Sequence, residues 1–276
     1  MISKAKTRAC LIALVIVWGA VGCSDSPDGG MTGSAGTLDV DPTGGGDFDT
    51  IQGALDAASP GTLIRVGVGT FEGELVVSKS VRIVGSGVGT VLRATGTPQS
   101  FPDESGDDSS AVLEIRNASG VVVENLSFSG PEDGIAVRNS TGITIRDVDA
   151  SGNGDDGIDI RGSHDVTVSG TFDNNGDKGV QVRDGSSEVT VDSARMTGNG
   201  GKGIRLRDST DCSLTRSTSS SNLDDGIVVR DSSGITIEQN TSSNNMGYGI
   251  RVRNSPTTVL LANTTQGNRD GNFRED

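Results

Sequence analysis

The sequence predicts an all-β solenoid, and three observations carry that expectation. Glycine followed by a short apolar alternation and an arginine recurs at Gly134, Gly157, Gly179, Gly203, Gly226 and Gly249, at spacings of 22 to 24 residues. The arginines Arg116, Arg138, Arg161, Arg183, Arg207, Arg230 and Arg253 keep the same step. No stretch inside these units has the length or the period of a helix. A unit of this size that closes on itself, like residue above like, is one coil of a parallel β-helix, and the crossover rule makes it right-handed. The predicted fold is therefore a right-handed single-stranded parallel β-helix with a short N-terminal capping helix.

Lys4, Lys6 and Arg8 precede the apolar run "ACLIALVIVWGA", which is too short to cross a bilayer comfortably and suits a signal peptide over residues 1–22. The ending Ala20-Val21-Gly22-Cys23 resembles the lipobox of bacterial lipoproteins, with Ala20 where Leu is usual. The resemblance implies lipidation of Cys23 and a membrane anchor through several acyl chains. Ser24 resembles the outer-membrane sorting signal, so the expected location is the outer membrane of the cell envelope, with ordinary cleavage at the small residues and secretion as the alternative. Residues 23–37 have the composition of a flexible tether.

The β-helix is expected over 38–276. Phe48, Ile51, Leu55 and Ala58 have helical spacing, with Asp47 as the expected N-cap and Pro60-Gly61 as the stop. Such a helix closes the open apolar end of the coil. Leu63–Val66, Leu75–Val77, Val81–Val84 and Val91-Leu92 read as strands of the first coils. In the regular units Ile227 and Val229 face one way and Val228 and Arg230 the other, as period two requires. A turn and a second alternation such as Ile235-Thr236-Ile237 follow, so two strands and three turns are expected per unit. The segment 95–110 interrupts the spacing and reads as a surface insertion, with a mobile flap over a groove as the alternative. The C-terminal "DGNFRED" starts a further coil whose edge Arg274, Glu275 and Asp276 would blunt.

With Lys+Arg 23 against Asp+Glu 37, the chain is acidic, and removal of residues 1–22 leaves Lys+Arg 20, a formal charge of −17. Nucleic acid is thereby excluded as a partner. Cys212 remains alone after Cys10 and Cys23, so there is no disulfide framework, and its register with Ile143, Val166, Val189 and Ile235 turns it inward. His164 is the only histidine and lies in a turn, which argues against a zinc or copper site. Asn153, Asn175, Asn199, Asn222, Asn245 and Asn268 keep the repeat and predict a stacked asparagine ladder, with Asn240 and Asn263 starting a second. The arginine column has acids beside it and reads as a neutralised, solvated face rather than a polyanion stripe.

The helix, "ASPGTLIRVGVGTF" and "VSKSVRIVGSG" resemble the start of bacterial right-handed parallel β-helix proteins of the pectate-lyase-like superfamily, and with the repeats the resemblance covers about residues 38 to 269. It implies an extracytoplasmic, polysaccharide-related role, in members that range from lyases to inert solenoids. It further implies that lyases on this fold neutralise a uronate carboxylate with Ca²⁺ or a cation while Lys or Arg removes the neighbouring proton. The position before the glycine reads Asp133, Asp156, Lys178, Lys202, Asp225, Tyr248, and the outward position two after it reads Ala136, Asp159, Gln181, Arg205, Val228, Arg251. On that basis Asp155, Asp156, Asp159 and Asp177 are the candidate Ca²⁺ ligands, and Lys178, Lys202 and Arg205 the candidate bases or charge partners. "GDDG" at 154–157 is similar to the paired aspartates of β-helix polygalacturonases, without their Gly-His-Gly and Arg-Ile-Lys elements. Asp225 beside Tyr248 is a further, weaker pair. Two functions are carried forward: a Ca²⁺-assisted lyase or binder of acidic polysaccharide, and a non-catalytic structural or adhesion solenoid. The scarcity of aromatics, one Trp, one Tyr and six Phe, weakens both sugar readings, the enzymatic one most.

Overall fold

The computed structural model describes residues 36–87, 89–95 and 110–276. The expected signal peptide, Cys23, all but the end of the tether and most of the 95–110 insertion lie outside the described residues.

The described chain winds through ten coils, counted on a first face whose strands run in parallel register from Thr37–Val40 to Val259–Leu261. A second face runs from Gly69–Glu72 to Thr264–Gln266, and a third, nine-stranded face from Leu75–Val77 to Gly271–Glu275. Each regular coil thus has three strands where two were expected. The missed strands, such as Thr218–Ser220 and Thr241–Ser243, are short, polar and bury a serine. They carry no apolar alternation by which to be recognised. In two coils a single strand, Thr141–Asp149 or His164–Thr171, bends through the corner and serves both faces.

Inward residues stack on their counterparts. Ile135, Ile158, Val180, Ile204 and Ile227 form one column, and Ile145, Val168, Val191, Leu214 and Ile237 another, all essentially inaccessible. Each such side chain stabilises by about 1.5–3 kcal/mol relative to exposure. β-Branched residues dominate because parallel pairing puts identical shapes one strand spacing apart.

The helix Ile51–Ala57 caps the first coil, burying Ile51, Ala54 and Leu55 against it. Its N-cap is Thr50, whose side chain accepts from Gly53 N at 3.1 Å, and not Asp47. Asp47 instead accepts from the backbone of Asp39 at 2.9 Å. Phe48 pairs with Val40 as an isolated bridge, so the helix starts later than its periodicity suggests.

The asparagine ladder runs unbroken. The Oδ1 of Asn175, Asn199, Asn222, Asn245 and Asn268 each accepts both the backbone N–H and the side-chain amide of the asparagine one coil earlier, at 2.9–3.3 Å. The repeat glycine exists to admit it: a Cβ at Gly157 would stand 2.6 Å from Gly179 O and 2.7 Å from Asn175 Nδ2. Asn240 and Asn263 form the second ladder, with Ser217 N donating to Asn240. A serine ladder escaped the sequence reading: Ser140, Ser163, Ser209 and Ser232 each have an N–H bonded to the hydroxyl of the next serine, at 3.0–3.2 Å.

The arginine column is paired with acids along its length, including Arg138 with Glu114, Arg183 with Asp159, Arg207 with Asp184 and Arg230 with Asp231. His164 is exposed, its Nδ1 3.0 Å from Ser187 Oγ. Cys212 is buried in the core, where burial pushes its thiol up to about 11. A thiol reagent at neutral pH is therefore expected to label Cys212 only after denaturant is added, as read by mass spectrometry of the Cys212 peptide; rapid labelling in the native state would contradict the inward register.

Candidate functional site

The third face and the turn before it assemble the chemistry. Parallel register places Glu114, Ala136, Asp159, Gln181, Arg205, Val228, Arg251 and Arg274 in one outward column. In the turn, Asp133, Asp156, Lys178, Lys202, Asp225 and Tyr248 follow one another coil by coil, so acids meet bases within two coils, roughly 10 Å.

At the acidic end, Asp133, Asp155 and Asp156 bring one carboxylate oxygen each within 4.8 Å of the others. Asp133 and Asp156 are buried and Asp155 is half-buried. Burial first, then the charges of Asp159 and Asp156, pushes the Asp133 carboxyl well above its ordinary range. Burial, reinforced by Asp155 and Asp159 and opposed by Lys178, raises Asp156 to about 7. Asp155 is raised by burial as well.

Of the four ligands expected from sequence, Asp155 and Asp156 stand in this triad. Asp159 is turned to arginine: although burial alone would raise it, hydrogen bonds from Arg183 at 3.0 Å and Arg161 at 2.9 Å hold it below the usual carboxylate range. Asp177 is engaged by Lys178. Asp133 takes the place those two were expected to fill. Its membership was signalled by its position one coil below Asp156 in the column before the glycine.

Asp133 and Asp156 of the triad, and Asp225 farther along the column, also have a structural duty. Asp133 Oδ1 accepts from Asp156 N at 3.0 Å, Asp156 Oδ1 from Lys178 N at 2.8 Å, and Asp225 Oδ1 from Tyr248 N at 2.6 Å. Each aspartate bonds the next coil's backbone, as the asparagines do. The second oxygens are what remain for an ion.

The three candidate cations differ. Lys178 is buried, ion-paired with Asp177 and 3.4 Å from Asp156. Lys202 is ion-paired with Asp224. Arg205 is half-buried, has no acidic partner among the described residues, and keeps a solvent-shielded Nε without an acceptor. Burial, with the neighbouring charges of Arg207 and Arg183, lowers its hold on the proton. A cavity of about 170 Å³ lies beside it, lined by Lys202, Arg205, Asp225, Val228, Arg251 and Arg253 among others. Arg251 and Arg253 were not singled out from sequence as site residues. Tyr248 lies between Arg251 and Arg274, whose guanidinium carbons are 5.6 and 5.5 Å from the ring centre. Both cations stand over the ring, and Arg274 Nη1 also donates to Tyr248 Oη at 3.1 Å.

The model of the family described as "Right handed beta helix region" matches residues 110–268, more than half of the chain. The chain belongs to the right-handed β-helix family. No curated protein sequence matches this β-helix. Similar solved structures include an alginate lyase from Paenibacillus sp. str. FPU-7, 15% identical with a TM-score of 0.56, covering 87% of this chain and 98% of the lyase. Pectate lyase Pel9A is 14% identical with a TM-score of 0.59, covering 81% of this chain and 73% of its own. The periplasmic alginate epimerase AlgG, in a mutant form, is 14% identical with a TM-score of 0.53, covering 77% and 71%. At these identities the likeness is one of fold.

Proposed function

We propose that this β-helix is an exported, envelope-anchored protein that binds acidic polysaccharide along its third face. The observation that carries the reading is Arg205, a half-buried guanidinium with no ion pair among the described residues, beside a cavity where Lys202, Arg251 and Arg253 stand with Asp224 and Asp225. A guanidinium in that condition recognises a carboxylate through paired N–H donors. The lyases and the epimerase that share the fold act, by their names, on alginate or pectate, which are uronate polymers. Lys4, Lys6, Arg8, the apolar run and Cys23 support export and lipid anchoring.

Ca²⁺ fits the acidic triad. Oxygens within 4.8 Å of one another reach a shared ion at about 2.3–2.6 Å, and two buried, mutually repelling carboxylates gain from a positive charge between them. Asp133, Asp155 and Asp156 would hold it. Bound there, Ca²⁺ would supply positive charge to neutralise and polarise a uronate carboxylate. Lys178 supplies a fixed positive charge one coil beyond Asp156, and Arg205 would pair with a further carboxylate of the polymer.

A second reading is lyase activity: Lys178 and Lys202 are committed to ion pairs, which leaves Arg205, beside the cavity, as the candidate base or charge partner among the three. The test uses oligogalacturonate and oligoalginate, with and without Ca²⁺, followed by titration calorimetry and by ultraviolet absorbance of unsaturated products. Arg205→Ala is expected to weaken binding by roughly tenfold to a hundredfold, the worth of a charged hydrogen bond. Binding without products gives a non-catalytic binder. No binding to either oligomer overturns the proposal and leaves the solenoid as scaffold or adhesin.

A further inference from the structure

We infer a second site, for a neutral saccharide, at the corner between the first and second faces. It rests on a missing residue. Ile145, Val168 and Val191 are register partners on the first face, and Asp149, Thr171 and Arg195 are partners just past the corner. Three residues turn the corner in the outer two coils, whereas Ser169 and Gly170 alone turn it in the middle one. The short coil cuts inside its neighbours. Gly170 permits this, with φ at +144° and a position where a Cβ would meet Val148 O at 2.4 Å.

The resulting hollow has a volume of about 380 Å³, within the range of small-ligand sites. Asp147, Asp149, Ser169, Thr171 and Ser193 are among its polar lining, and Leu126 and Val148 are its apolar residues. Asp149 Oδ1 is shielded from solvent and has no hydrogen-bond donor among the described residues. The carboxylate lines the hollow with this oxygen still unpartnered. The cation at the rim, Arg195, is bound to Asp173 at 3.1 Å. With its one guanidinium engaged and two carboxylates in the wall, the hollow repels uronates and phosphates. Carboxylate and hydroxyl acceptors over an apolar floor instead suit the hydroxyls and C–H face of an uncharged pyranose. Metal binding is disfavoured because the acids here do not converge: the described residues bring three carboxylates together only at Asp133, Asp155 and Asp156.

The site is independent of the third face, and its test keeps them apart. Neutral gluco-, manno-, galacto- and N-acetylglucosamine oligomers are titrated into the protein by ligand-observed NMR, with oligogalacturonate as the anionic control. At least one neutral oligomer is expected to bind, with affinity reduced about tenfold or more in Asp149→Asn and in Ser169→Leu, which fills the hollow, and unchanged in Arg205→Ala. Thermal melts establish that each variant is folded. Silence across the neutral panel, or binding that neither Asp149→Asn nor Ser169→Leu weakens, overturns the inference.

Discussion

Asn199→Ala is expected to lower the unfolding free energy by roughly 2–5 kcal/mol, measured as a shift of the urea midpoint at constant slope. Asn199 is inaccessible to solvent, and its Oδ1 accepts from Asn175 N at 2.9 Å and from Asn175 Nδ2 at 3.2 Å. Alanine leaves both donors buried without an acceptor, at about 1–3 kcal/mol each. It also removes the Asn199 amide that donates to Asn222 at 3.1 Å. The same change at Asn268, near the exposed last coil, is expected to cost much less, because water replaces the lost partner. Equal losses at the two positions would show that the ladder does not act through buried donors.

Between pH 5 and pH 8, stability is expected to fall by on the order of 2–3 kcal/mol without divalent cations, and Asp156→Asn is expected to flatten that slope. Burial, with Asp155 and Asp159, raises the Asp156 carboxyl from 3.8 to about 7. A group raised on folding binds its proton more tightly in the native state. Its contribution to stability is complete below the unfolded value of 3.8 and is lost as pH rises through about 7. Asp133 is raised too and has the same sign. Asp159 and Asp224, held low by Arg183 and Lys202 against the pull of burial, have the opposite sign and lose their contribution only as pH falls below the ordinary carboxylate range. Asp173 and Asp225, raised by burial, share the sign of the triad, so the difference between the wild type and Asp156→Asn, and not the slope alone, reports the triad. Adding Ca²⁺ at pH 8 is expected to raise the melting temperature of the wild type and leave Asp133→Asn and Asp156→Asn unmoved. A flat profile, or equal Ca²⁺ stabilisation of all three proteins, would sink the ion site.

Legibility followed the repeat. Gly157, Asn175 and Arg183 recur at a fixed step, so their stacking is legible without coordinates, and the glycine column leaves room for the asparagine column, since a Cβ at Gly157 would stand 2.7 Å from Asn175 Nδ2. The second face was not legible, because Ser219 and Ser242 occupy inward positions where the reading looked for aliphatic residues. Their hydroxyls are satisfied locally, donating to Gly226 O and Gly249 O at 2.7 Å, so the core tolerates them. Thr50 was passed over as a cap because the helical spacing began at Phe48, whose backbone the structure spends on pairing with Val40.

For the site, the columns were legible and the partnerships within them were not. Asp155, Asp156, Asp159 and Asp177 are close in sequence and look interchangeable. Which of them faces an arginine, a lysine or another carboxylate depends on which coil lies above. Arg183 reaches down to Asp159 and Lys178 turns to Asp177, and that leaves Asp133 to complete the triad.

The amino-acid sequence by itself determined the coil, its axial register and the stacked columns of the first and third faces, because parallel stacking turns a linear period into vertical contact. Only the tertiary structure decided the number of faces, the ion-pair partners and the hollow at the short corner. Those depend on where the chain turns within a coil and on which of several nearby charges is closest, and a one-residue difference or a rotamer, neither of which alters the period, is enough to change them.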